Sequence, residues 1–191
     1  MVEASDLLRA ARKSCNLTQS QLASRVRLDQ GDLSRSERGR RADYRTVDRI
    51  LAGVGHRLYA VPTRRDDAVA AAAAIKRQLR VGDRDGALRV LLQLSDDLGA
   101  EHGLVRGVLA VGEPESTGEP IWDAAIAAVV VRRLAEEGLP SPAWVDGPTR
   151  RLSRPATLEV DPADPIPPLS AVPPEFADRG VLVWSDTFES V

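Results

Sequence analysis

The chain has 191 residues, a net charge of −2 and one cysteine, Cys15; that length supports one medium or two small domains, and the cysteine count excludes an intrachain disulfide framework. No secretory leader pattern follows Met1, and the longest apolar run, Ala124 to Val131, is too short to span a bilayer, so a soluble, cytoplasmic protein without membrane contact is expected. Residues 1–65 hold 14 Lys and Arg against 7 Asp and Glu, whereas residues 66–191 hold 12 against 21, the asymmetry expected of a basic nucleic-acid-binding head on an acidic body.

Ser5 or Asp6 can cap a first helix running to about Ser14, with Leu7, Leu8, Ala11 and Cys15 spaced for its inner face. Cys15 is read as a small core residue, and Asn16 sits where the chain must reverse, a place Asn tolerates. Thr18 and Gln21 have the spacing of a capping box, and Leu22, Ala23 and Val26 then share one face. Asp29 can cap the next helix, Leu33 anchors it inward, and Gly39 suits the left-handed residue that ends it. Two short helices crossing over a tight turn predict a helix-turn-helix, whose second helix can enter the DNA major groove. Thr46 to Val54 reads as a further helix with Val47, Ile50 and Leu51 inward. His56 to Pro62 alternates like a short strand, which would need an edge to pair with, such as its copy in a second subunit.

On the second of the two crossing helices, Gln30 can bond adenine bidentately and Arg35 guanine, each worth about 1–3 kcal/mol of discrimination. Asp32 can accept from a cytosine amino group or orient Arg35 three residues on, and Gly31 allows close backbone approach. Arg38, Arg40, Arg41 and Arg45 follow as phosphate clamps, a salt-sensitive and sequence-blind contribution.

The spaced residues Leu17-Thr18-Gln19, Leu22-Ala23, Ser34 and Glu37-Arg38-Gly39 give residues 7–61 a pattern that resembles the Xre/Cro-type helix-turn-helix domain of phage repressors and bacterial regulators. The resemblance implies a phosphate contact at Gln19, base-facing positions at Gln30, Gly31, Asp32 and Arg35, a DNA-binding Ser34 late in the reading helix, and a structural pair between Arg12 and Glu37. Two positions depart from the pattern: Arg27 stands where the family usually has glycine in the turn, and Ser36 where it is usually apolar.

Thr63 to Asp67 reads as a hinge, and Ala68 to Leu79 as an alanine-rich helix. Asp83 can cap another helix to about Leu98; Gly82 to Gly86 lacks the later acidic ligands of a calcium loop and is read as a turn. Leu104 to Val111 reads as a helix, residues 112–120 as a polar exposed loop, and Ile121 to Glu137 as the most apolar helix and the core of this half. Ten of the chain's thirteen prolines lie in residues 140–191, where an extended wrap over Pro162 to Pro174 and a strand over Gly180 to Trp184 are expected. Trp144 and Trp184 can be core anchors or a partner surface, and Phe188 and Val191 can tie down the C-terminus.

The expected fold is therefore mainly α. A helix-turn-helix bundle of four to five helices with a short following strand occupies residues 1–62. A helical dimerisation or regulatory domain covers residues 66–139, and a proline-rich, partly extended tail covers residues 140–191. No catalytic constellation is present: His56 and His102 fall in different halves, and no phosphate-binding glycine loop or nucleophile elbow occurs. No enzyme activity, cofactor or metal is expected. The expected role is a transcription regulator, a repressor binding double-stranded DNA as a homodimer on an inverted repeat, with half-site centres one or two turns of ~34 Å apart. Pro142-Ala143-Trp144, followed by Pro173-Pro174-x-Phe176-x-x-Arg179-Gly180-Val181-x-Val183, resembles the tails of antitoxin-like regulators beside nucleotidyltransferase-type toxins. That resemblance implies an alternative: an antitoxin of a type II pair whose second half masks a toxin while the first autoregulates the operon. Otherwise the second half would be a dimerisation or small-molecule effector module.

Overall fold

A chain that starts helix after helix with an aspartate or threonine satisfies its own first-turn amides, and the computed structural model, which describes residues 4–58, 60–158 and 165–188, shows this repeatedly. Helices α1 (Ala4–Ser14), α2 (Gln19–Arg25), α3 (Gln30–Glu37) and α4 (Tyr44–Gly53) form the first group. Thr18 caps α2 in a full capping box, and Asp29 accepts from the amides of Gly31 and Asp32 at the start of α3. Asp43 caps α4 through Thr46, which moves that helix's start two residues ahead of the sequence reading. In the second group, Asp67 caps α5 (Ala68–Arg80) and Asp83 caps α6 (Arg84–Ala100). Each such cap contributes about 1 kcal/mol. α7 (Gly103–Val111) and α8 (Pro120–Ala135) follow, with Pro120 in the first turn of α8, where its missing N–H is no loss.

The apolar side chains divide into two clusters. Leu8, Ala11, Leu22, Ala23, Val26, Leu33, Val47, Ile50, Leu51 and Val54 fill the space between α1 and α4. The larger cluster is built on α8, where every residue from Trp122 to Val130 is buried. A helix apolar all round needs cover all round. α5 and α6 supply it on one side, and the tail supplies the rest through 3-10 turns at Ala143–Asp146 and Pro148–Arg150, a short helix α9 (Pro174–Ala177) and a two-residue parallel pair. That pair joins β1 (Ala156–Thr157) to β2 (Val181–Leu182), with Ala156 opposite Val181. Phe176 and Phe188 stack with ring centroids 4.7 Å apart, so Phe188 does anchor this end. The Val191 anchor lies outside the described residues, as do Pro162 of the expected wrap and Tyr59 of the expected strand.

Several expectations change. Residues 56–58 and 60–62 form no strand within the chain; alternation without a neighbouring edge does not make one. Cys15 is exposed rather than core, because α1 ends at Ser14 and the chain turns away; its thiol donates to the Val54 carbonyl at 3.5 Å. Residues 112–120 are not a loose exposed loop. The buried carboxylate of Asp123 accepts from Ser116 Oγ at 2.6 Å, Thr117 N at 2.7 Å and Thr117 Oγ1 at 2.8 Å, folding the loop onto the start of α8. The tail is less extended than its prolines predict, since short helical turns interrupt it. Trp144 is a core anchor whose Nε1 donates to the Ala110 carbonyl, whereas Trp184 is half-buried and donates to Pro165.

The folded loop also reaches the first bundle. Glu115 pairs with Lys13 at 2.7 Å and Arg9 at 3.3 Å, both on α1. Burial opposes its ionisation, but Lys13 and Arg9 outweigh it and hold the carboxyl below its ordinary value of 4.5. A folded-state value below the unfolded one stabilises above pH 4.5 and loses that contribution as pH falls through the folded value. Glu115→Gln should therefore be less stable than the parent at about pH 7, and the gap should shrink as pH falls below 4.5, read by urea unfolding. A gap that stays constant or widens on acidification would contradict the assignment.

Candidate nucleic-acid interface

Ala23 and Leu33, both buried, let α2 and α3 cross closely, and the amide of Leu28 donates to the Ala23 carbonyl at 2.9 Å to close the turn between them. Arg27 carries this turn with φ at 52°, the left-handed conformation that the glycine usual at this place adopts freely. Asn16 makes the preceding reversal in the same way, with φ at 53°. Ser36, standing where an apolar residue was expected, is buried and satisfies its hydroxyl by donating to the Asp32 carbonyl one turn back.

The exposed face of α3 brings Gln30, Asp32 and Arg35 together, with Gly31 between them. A Cβ on Gly31 would lie 2.9 Å from the capping oxygen of Asp29 and 3.2 Å from Arg35 Nη1, so the glycine keeps room for both the cap and the arginine. Asp32 Oδ1 accepts from Arg35 Nη2 at 2.7 Å and from Arg40 Nη1 at 3.3 Å. The hydrogen bond from Arg35 is the main reason its carboxyl sits below the ordinary range. Asp32 thus orients Arg35, one of the two roles its position allows, and also gathers Arg40 from beyond the helix.

Arg38, Arg41 and Arg45 are exposed and form no ion pair among the described residues. They leave three uncommitted cations beside α3. Ser34 does not join this surface; it is only 8 % exposed, on the side of α3 turned into the bundle.

Behind the face, Gln30 Nε2 donates to Gln19 Oε1 at 3.5 Å, and Gln19 Nε2 donates to Glu37 Oε2 at 2.8 Å. Glu37 is 1 % exposed and receives Arg12 through two bonds, Nε at 2.7 Å and Nη2 at 2.9 Å. Arg12 Nη1 also donates to the Leu17 carbonyl, so one guanidinium ties α1, the entry to α2 and the end of α3. Arg9, one turn earlier on α1, donates to the Glu37 carbonyl. Its role escaped the sequence reading, although its spacing three residues before Arg12 puts both on the face turned to α3.

No group of three or more His, Cys, Asp or Glu among the described residues could hold a metal ion, and none of the helices there is long and apolar enough to cross a membrane. Searches of curated proteins and of solved structures return no match. With two helices crossed over a tight turn and a polar, cation-flanked face on the second, residues 3–56 match the family model of a helix-turn-helix domain, which supports a DNA-binding regulator.

Proposed function

We propose that the protein is a sequence-specific transcription regulator of Xre type, a repressor that binds an inverted-repeat operator as a homodimer from the cytoplasm. The observation that carries this reading is the exposed face of α3, with Gln30, Asp32 and Arg35 presented together and Arg38, Arg41 and Arg45 uncommitted beside them. Gln30 and Arg35 read base edges, Gln19 and the flanking arginines hold phosphates, and Arg40 leaves Asp32 for the backbone on binding. Residues 1–62 serve as the reading head, and residues 66–139 with the tail 140–191 form the body that pairs two copies. No catalytic role is assigned to either part.

The antitoxin alternative is less supported, because Trp144, Phe176 and Arg179 are packed inside the second cluster and offer a toxin no surface there. Full-length protein titrated with DNA from upstream of its own gene, at two salt concentrations, tests the main reading. Arg35→Ala should lose about 1–3 kcal/mol on the preferred site and relax preference at one base pair, while Arg41→Ala should weaken all sequences alike and reduce the salt slope by about 1. Identical behaviour of the two variants would sink this division of roles, and absence of binding to any duplex would sink the function.

A further inference from the structure

A cleft of about 220 Å³ opens where α1 meets α5. Its walls carry Asp6 and Arg9 from α1, Lys76, Arg77 and Arg80 from α5, and Glu115 from the loop before α8, over a floor of small apolar side chains. Four cations therefore face two carboxylates. Glu115 is already served by Lys13, Arg9 and, at 3.9 Å, Lys76. Arg77 and Arg80 reach the same cleft and pair with no carboxylate among the described residues. Three of the four cations, Lys76, Arg77 and Arg80, stand in a segment, residues 66–191, that is otherwise strongly acidic. The volume lies below the roughly 300–1,000 Å³ of sites for drug-sized ligands and suits a compact polyanion.

Arg9 gives the cleft a route to the reading face. One end of its guanidinium bonds Glu115 at 3.3 Å and the other donates to the carbonyl of Glu37, the last residue of α3. The Glu37 side chain continues through Gln19 to Gln30. An anion in the cleft competes for Arg9 with both partners.

We propose that this cleft binds a small phosphate-type polyanion through Arg9, Lys76, Arg77 and Arg80, and that occupancy lowers DNA affinity by drawing Arg9 from the end of α3. The coupling rests on the DNA-binding reading; the binding site does not. By linkage, DNA lowers affinity for the anion by the same factor.

Inorganic pyrophosphate serves as the probe, titrated calorimetrically into the full chain at constant ionic strength. The parent should show one saturable site. Arg77→Ala with Arg80→Ala, two exposed residues without ion pairs, should weaken it by about tenfold or more through loss of charge-assisted bonds. Arg41→Ala with Arg45→Ala should change it by about twofold or less, since neither residue lines the cleft and exposed charges outside it are screened. No binding by the parent, or an equal or greater loss in the Arg41/Arg45 variant, would overturn the site. With DNA present, pyrophosphate should weaken binding by the parent and leave the Arg77/Arg80 variant unaffected. Equal weakening of both would overturn the coupling, showing that the anion competes on the DNA face. If the parent binds no DNA, the regulator reading and the coupling fall together, while the titration still decides the site.

Discussion

Arg12→Ala is expected to destabilise the first bundle by about 3–5 kcal/mol, because it leaves the almost wholly buried Glu37 side chain without its two guanidinium bonds. The loss exceeds that of an ordinary hydrogen bond, since the same guanidinium also holds the Leu17 carbonyl. Gln19, deprived of an ordered Glu37, should release Gln30, so DNA affinity falls with stability. Replacing both partners with apolar residues of similar volume, Arg12→Met with Glu37→Leu, should recover most of the stability without restoring Gln19. Urea unfolding followed by circular dichroism gives the values. A loss below about 1 kcal/mol for Arg12→Ala would show that the pair is solvated and not structural.

Trp122→Ala should cost a comparable 3–5 kcal/mol, about the amount for a large aromatic removed from a close-packed core. Trp122 is completely buried at the start of α8, the helix that packs against α5, α6 and the tail. Its indole Nε1 has no hydrogen-bond partner among the described residues. An unpaired buried donor carries a penalty of about 1–3 kcal/mol, so Trp122→Phe should lose much less than its smaller volume alone implies. Chemical unfolding of the two variants checks this, and equal losses would contradict the unpaired indole.

Much of the first bundle was legible because its determinants are local. Thr18, Gln21 and Asp29 bond amides two or three residues away, and Leu22, Ala23 and Leu33 follow helical spacing. The same periodicity misplaced Cys15, since it was carried one residue past Ser14, where α1 ends and the chain begins the reversal made at Asn16. Residues 112–120 were misread because composition registers polarity, and burial depends on whether a partner such as Asp123 is near enough to satisfy it. Arg9 and Glu115 were beyond reach for a different reason: 106 residues separate them, and no short-range pattern records a contact at that distance. Ser34 shows the limit of a motif, which matches a residue to a position without saying whether it serves DNA or packing.

The segment between the two bundles looked like a hinge, yet it is held by the second one. Thr63 Oγ1 donates to Glu101 at 2.7 Å, Arg65 reaches Asp97 at 3.3 Å, and the Asp66 amide donates to the same carboxylate at 3.2 Å. Asp97 is buried, and Gln93 is its neighbour on α6. For anyone grafting this reading head onto another body, the connector therefore travels with the acceptor: a junction placed before Thr63 keeps every one of these bonds, whereas one placed after Asp66 strips Asp97 of its partners on that side.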